Sequence, residues 1–448
     1  MALHEDAVVF GLTGAFGSGC TTLAHALQTE LDFRSVKVSD LIKQEHQRRL
    51  EEAAVTDAPE GELPLLNPPR GTLQDVGDDL RREHGAHYWM QLILDDIERS
   101  GTEVRRLVID GIRNPGEAAW LRSKIKRFFL IAVDTHPDAR WKRLEDNEYW
   151  RTRPRAEYDA QSARDMEAPQ DWGQRVQQCV DLADYMIVND VDRERPAAAT
   201  YLLSRAQDLL GLCQEPTRRP SEAELFMHLA YSSASGSACL KRNVGAVVVR
   251  PGQEKEVGSE PVHQAASVLS VGFNENPSWM QPCYHEYGAC YRDLWRQKEW
   301  ESKGYKWCPK CGVSLEDVEW PYECPNPACG AGSLLEWVFP ERAMTKCTAI
   351  HAEVRAIRSC PPDKIAGSHL YVTTFPCFLC SEEILESEIE RVVYFEPYPD
   401  AGAEALLKGH GVDVRRFEGV KSLAFLKFFD SWRPVMEKKL ALSGRTST

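Results

Sequence analysis

The chain has 448 residues, 43% of them hydrophobic and 27% charged, and a formal net charge of −14. Its length exceeds one compact core and points to about two or three domains, and the acidic balance argues against a broad electrostatic grip on DNA or RNA while leaving room for a local basic pocket. No apolar run approaches the ~20 residues of a membrane span, and the opening "MALHEDAVVFGLTG" has no basic stretch before an apolar core, so no signal peptide, no membrane partner and a cytoplasmic location are expected.

The first half alternates apolar runs with amphipathic stretches. "AVVFGLTG", "RRLVIDG", "RFFLIAVD" and "ADYMIVND" are short, β-branched and nearly continuous, as buried parallel strands are. Helical stretches such as 21–31 and 72–98 lie between them, which predicts an α/β domain over residues 1–215 with a mainly parallel sheet. Residues 51–71 read as a loop, and "CQEPTRRPSEAE" (213–224) as a linker.

The first strand runs into "GAFGSGCTT", residues 14–22. The pattern G-x-x-x-x-G-K-[ST] fits this phosphate loop except at Cys20, where lysine is required. The backbone N–H groups of Gly14, Gly17, Ser18, Gly19, Cys20, Thr21 and Thr22, with the following helix N-terminus, would still cradle an anion. Thr21 stands at the Mg²⁺-ligand position. Without the lysine that neutralises phosphate charge during transfer, binding of a regulatory nucleotide is expected rather than phosphoryl transfer. Residues 72–89, 108–122 and the Arg-rich 140–155 resemble segments of deoxynucleoside monophosphate kinases. The resemblance implies that Asp110, Arg113 and Glu117 line a nucleotide pocket, with Arg140, Arg143, Arg151 and Arg153 in a lid; a solvated, salt-bridged helix is the alternative for those arginines.

The second half, 221–448, reads helix ("ELFMHLAYSSASGSA"), two strands ("VGAVVVR", "SVLSVGFN"), a Cys-rich insertion at about 283–347, then alternating helices and strands to "GVDVRRF". That order, αββαβαβαβ, predicts one mixed sheet covered by helices. The final "LAFLKFFDSWRPVMEKKLAL" reads as an amphipathic helix packed on the core.

Within this half, "HAE" at 351–353 is followed by "PCFLC" at 376–380. A catalytic zinc keeps three protein ligands and one open position, and His351, Cys377 and Cys380 supply three. The spacing of the cysteines places both sulfurs on one side of a helix's first turn, where the dipole favours thiolate. Glu353 is left to move protons, and the arrangement matches the nucleobase-deaminase signature H-x-E…P-C-x-x-C.

With "CLKRNVGAVVV", "VGFNENP", "CTAIHAEVRAI", "YVTTFPCFLCSEEILESEIERVVY" and "EPYPD", residues 225–420 resemble the cytidine/deoxycytidylate deaminase family. Glu275 and Arg355 depart from it, standing where Gly and Asn are usual. The resemblance implies that Asn274 bonds the sugar or base, and that Lys241, Arg242 and Tyr398 contact phosphates; a solvated helix end is the alternative for the basic pair.

"CPKCG" (308–312) and "CPNPACG" (324–330) resemble zinc-ribbon knuckles, so Cys308, Cys311, Cys324 and Cys329 predict a closed structural zinc site. Cys283, Cys290 and Cys347 would either hold a further metal with His285 or be inert buried thiols.

The domain pairing resembles the bacterial anti-phage dCTP deaminases. That resemblance implies deamination of dCTP or dCMP to the uracil nucleotide, depletion of dCTP during phage replication and a homo-oligomer; an inhibitory RNA or protein partner is not legible. The rival readings are a tRNA or single-stranded DNA deaminase, a regulatory nucleotide-binding protein, and a bifunctional deoxynucleoside monophosphate kinase–deaminase.

Overall fold

A computed structural model describes residues 3–57, 70–145, 150–166, 168, 170–190, 195–214, 218–257, 260–316, 318, 323–326, 329, 334, 346–397 and 401–429. The chain forms two compact units, Met1–Glu224 with Phe417–Thr448, and Leu225–Arg416.

Six strands of the first unit, among the described residues, form one sheet: β1 (Leu3–Thr13), β2 (Arg34–Lys37), β3 (Val104–Asp110), β4 (Phe128–Asp134), β5 (Tyr185–Val188) and β13 (Gly419–Val420), in the order β13-β5-β4-β1-β3-β2. The first five run parallel, and both faces are covered, so residues 7–13 of β1 are all buried. Helix Cys20–Leu31 turns Leu23, Ala24 and Leu27 into the same core as Phe10, Leu12, Leu202 and Leu209. Leu12 pairs with Asp110 and Thr13 with Ala132, which levels the carboxyl ends of β1, β3 and β4, where open α/β sheets bind ligands. The helical stretch expected over 72–98 is two helices, Arg70–His84 and Tyr88–Ser100, separated by a turn at 85–87.

The expected division at 215/221 is corrected at the far end of the chain. Phe417 onward belongs to the first unit, not the second. Gly419 and Val420 pair antiparallel with Met186 and Tyr185, and helix Ser422–Phe429 buries Ala424 and Phe428 in the first core, Phe428 stacking on Phe129 at 5.2 Å. The physical reason is an uncovered edge: β13 caps β5, and the helix behind it finds apolar area there. The part of the expected final helix beyond Phe429 lies outside the described residues. The expected linker is also tied down. Arg218 bridges Asp208 and Glu224, and Glu224 accepts the Val420 N–H at 2.9 Å.

The second unit carries β6 (Gly245–Arg250), β9 (Ser267–Phe273), β10 (His369–Thr374), β11 (Arg391–Glu396) and β12 (Asp413–Arg416) in the order β12-β11-β10-β6-β9. β6 is antiparallel to both neighbours, and β10, β11 and β12 are parallel, which is the expected mixed sheet. Ala246, Val248, Leu370, Val372 and Val392 share a core with helices Ala352–Ser359 and Phe378–Glu386, whereas Tyr371 meets Phe226 of helix Glu222–Ala234. A two-stranded ribbon, β7 (Gln253–Val257) with β8 (Glu260–Gln264), was not expected, because its sequence is charged and lacks an apolar face.

Candidate active site

Two helix N-termini build the site of the second unit. His351 is the N-cap of helix Ala352–Ser359, with Glu353 in its first turn. Cys377 is the N-cap of helix Phe378–Glu386, with Cys380 in its first turn. Packing of both helices in one core with the sheet brings four residues from two distant motifs together. His351 Nδ1 lies 3.1 Å from Cys380 Sγ and 3.5 Å from Cys377 Sγ, and the sulfurs are 3.6 Å apart.

These distances test the fit to a metal. A disulfide would place the sulfurs at about 2.05 Å, whereas a tetrahedron with Zn–S near 2.3 Å has edges of about 3.8 Å. The three atoms fit a zinc face of one imidazole and two thiolates. Their proximity polarises them: the Cys377 thiol is held at about 4, chiefly by its bond with Cys380, while Cys380 is pushed up. His351 rises to about 11, first through Cys347 and then through Cys377. Glu353 is 4% exposed, and burial raises its carboxyl above the ordinary value, with His351 opposing. A raised carboxyl suits a group that must both take and return a proton.

The surroundings brace the site. Arg355, the departure from the usual Asn, donates from Nη2 to the carbonyls of Glu275 and Asn276, both at 3.2 Å, and so holds the turn. Thr348 Oγ1 donates to Asn276 Oδ1 at 2.9 Å. Asn274 is 8% exposed; its Oδ1 accepts the Val244 N–H at 2.7 Å and its Nδ2 donates to Arg242 O at 2.8 Å. A sugar or base contact would therefore use its remaining N–H or the second lone pair of Oδ1. Lys241 pairs with Asp293, and Arg242, about half exposed, lies 3.5 Å from Glu396. Tyr398 lies outside the described residues.

The spacing leaves two readings for Cys347, a further metal ligand or an inert thiol. Its thiol bonds to His351, which pulls it below the ordinary value against burial. With Cys239, Cys283 and Cys290 it lines a cavity of about 30 Å³. Among the described residues, neither cluster of metal-ligand side chains includes Cys283, Cys290, Cys347 or His285.

In the insertion, Cys308, Cys311, Cys324 and Cys329 have all four sulfurs within 4.8 Å of one another. Cys308–Cys329 and Cys311–Cys324 are 3.8 and 3.6 Å apart, again zinc-tetrahedron edges rather than disulfides. The first knuckle is a tight turn in which the Cys308 N–H reaches Val313 O at 2.8 Å and the Gly312 N–H reaches Cys308 O at 2.9 Å. Cys308 and Cys329 pack with Trp300, Leu315 and Leu334.

In the first unit the phosphate loop lines a cavity of about 1120 Å³ at the carboxyl ends of the strands. Gly14, Gly17, Ser18, Gly19, Cys20, Thr21 and Thr22 all face it. Gly19 has φ 115°, and a Cβ there would meet Asn189 Nδ2 at 2.6 Å, so the loop admits no side chain at its helix N-cap. Asn189 Nδ2 and Thr135 Oγ1 both donate to Ser18 O, at 2.8 and 2.9 Å. Thr21 Oγ1 donates to Asp110 Oδ2 at 2.8 Å, joining the position expected to serve Mg²⁺ to one expected to line the nucleotide pocket.

Asp110 and Arg113 line the cavity as expected, but Glu117 does not. Glu117 is fully buried in a capping box with Asn114, and it accepts Arg81 Nε at 2.8 Å and the Arg113 N–H at 2.8 Å. It is a helix cap and a counter-ion, because the third helical residue points back at its own N-terminus. Of the expected lid arginines only Arg143 lines the cavity. Arg140 is buried against Thr135 O and Ser162, Arg153 pairs with Glu157, and Arg151 is exposed.

A mixed sheet presenting an imidazole, two thiols and a buried carboxyl at paired helix N-termini defines the zinc-dependent base-deaminase class. Residues 220–396 match the family described as the cytidine and deoxycytidylate deaminase zinc-binding region. The deoxycytidylate deaminase of Mycobacterium phage D29 is 30% identical over 176 residues, covering 39% of this chain and 95% of its own. That of Saccharomyces cerevisiae is 28% identical over 204 residues, covering 45% of this chain and 46% of its own. The chain thus belongs to the cytidine and deoxycytidylate deaminase family, and it spans about half the length of the yeast relatives it matches. A UPF0200 protein of Methanothrix thermoacetophila is 32% identical over 136 residues, 30% of this chain and 64% of its own.

Proposed function

We propose that this protein is a zinc-dependent hydrolase that deaminates deoxycytidine nucleotides, dCMP and/or dCTP, to the uracil nucleotide. The observation that carries the reading is the buried Glu353 beside His351, Cys377 and Cys380. When bound, zinc supplies Lewis acidity that lowers the pKa of water from 15.7 toward ~7. The chain's own part is proton movement. Glu353 takes one proton from the attacking water and delivers it to N3 of cytosine as the C4–O bond forms, then takes the second from the resulting C4 hydroxyl and passes it to the amine, so that the C4–N bond breaks, the C4 carbonyl forms and ammonia leaves. Cys308, Cys311, Cys324 and Cys329 hold a second zinc as a closed structural site.

The first unit binds a nucleotide, with Mg²⁺, for regulation, and Cys20 in the lysine position argues against kinase activity. Dependence on a regulatory nucleotide, assembly into a homo-oligomer, a cytoplasmic location and depletion of dCTP in anti-phage defence complete the proposal; the last rests on the resemblance to bacterial anti-phage deaminases alone.

The test is ammonia release by the full chain from dCMP, dCTP, CMP and a cytosine-containing single-stranded oligonucleotide. Release from a deoxycytidine nucleotide is expected. Release from the oligonucleotide alone would move the protein to the nucleic-acid deaminases.

A further inference from the structure

The phosphate loop has no cation of its own. Cys20 fills the lysine position, and burial, followed by Asp110, pushes its thiol up to about 12, so it stays neutral. A phosphate chain on this loop needs positive charge from elsewhere in the cavity. Arg113, three residues beyond the end of β3, lines the same cavity as the loop and Asp110. Arg113 and Asp110 are charged groups that act on Cys20.

Arg113 is held in place. Nη1 donates to Asp165 Oδ2 at 2.8 Å and to Gln174 Oε1 at 3.4 Å, and its backbone N–H is fixed by Glu117. Asp165 is fully buried and also accepts from Arg70 and Gln74. Two guanidiniums therefore share the Asp165 carboxylate, and Arg113 faces the loop's cavity with Asp110 as the other acidic group acting on it. Asp110 is engaged with Thr21.

A second observation points to a ligand. Gln74 and Arg81, 4% and 1% exposed, line this cavity, yet Gln74 Oε1 and Arg81 Nη2 have no hydrogen-bond partner among the described residues. Unpaired buried polar atoms are destabilising, and a polar ligand would satisfy them. The cavity, at about 1120 Å³, has room for a nucleotide.

We propose that Arg113 replaces the absent loop lysine, so that the cavity binds the phosphate chain of a nucleoside triphosphate between the loop and Arg113, with Gln74 and Arg81 meeting the rest of the ligand. The proposal rests on the reading that the first unit binds a nucleotide. It differs from a degenerate kinase site in keeping the charge and moving its source from the loop helix to the strand end.

Isothermal titration of the full chain with ATP, GTP and dTTP, each with Mg²⁺, separates the two claims. If the wild type binds none of them, the nucleotide reading itself fails. If it binds one, Arg113→Gln is expected to weaken that affinity by about tenfold or more. Adding Cys20→Lys to Arg113→Gln is expected to restore affinity to within about threefold of wild type, because the charge returns to the loop. Wild-type affinity in Arg113→Gln overturns the inference, and so does a loss that Cys20→Lys does not repair, since Arg113 would then act only on the fold. Should Arg113→Gln not fold, Cys20→Lys alone decides: with Arg113 in place it gains less than about threefold, and a gain of about tenfold or more would mean that no cation served the site.

Discussion

Gly272 and Ala356 meet backbone to backbone. A Cβ at Gly272 would lie 2.5 Å from Ala356 N and 2.4 Å from Ala352 O, so the helix carrying Glu353 rests directly on β9. Gly272→Ala must lift that helix. Overpacking of this kind costs about 1–3 kcal/mol, read as a lower urea midpoint. Ammonia release should fall by more than the unfolded fraction explains, because Glu353 moves with the helix. An unchanged midpoint would show that the contact is not close.

Glu353→Gln keeps the size of the side chain and removes its proton chemistry. Turnover should fall by about 10²–10⁴-fold, with bound zinc and melting temperature retained, because Glu353 is not among the three ligand atoms. Activity within tenfold of wild type, or loss of the metal, would reassign the residue.

Cys308→Ser opens the four-thiol cluster and loosens the small core of Trp300, Leu315 and Leu334. Metal analysis should fall from about two zinc ions per chain to about one, and proteolysis should become faster within the insertion. About one zinc per chain in the wild type would contradict the second site.

Asp165 links acid to the stability of the first unit. Burial raises its carboxyl, but Arg113 and Arg70 outweigh burial and hold it below the ordinary 3.8. A carboxyl whose folded value is depressed adds stability that is complete above the unfolded value and is lost as pH falls through the folded one. The stability gap between wild type and Asp165→Asn should therefore be full near neutrality, persist down to about pH 4–5 and close below pH 3.8. A gap that widens on acidification would reverse the sign.

Local pattern carried much of this protein. The four apolar runs became β1, β3, β4 and β5 because strands buried on both faces read as continuous hydrophobic stretches. The candidate ligand cluster is legible because H-x-E and C-x-x-C place their side chains within one helical turn each. Glu117 was misplaced for a complementary reason: a strand-end motif does not tell a residue facing the cavity from one folded back to cap its own helix.

The sequence by itself determined the main strands of the two large sheets, the cysteine knuckles and the residues that can meet a zinc ion, since each depends on spacing within a few residues. Only the tertiary structure decided that the chain returns at Phe417 to cap β5, that Cys347 lies against His351, and that Arg113 faces a phosphate loop without its lysine. Those relationships join residues distant in sequence, and they follow from which sheet edge is uncovered and which buried charge needs a partner.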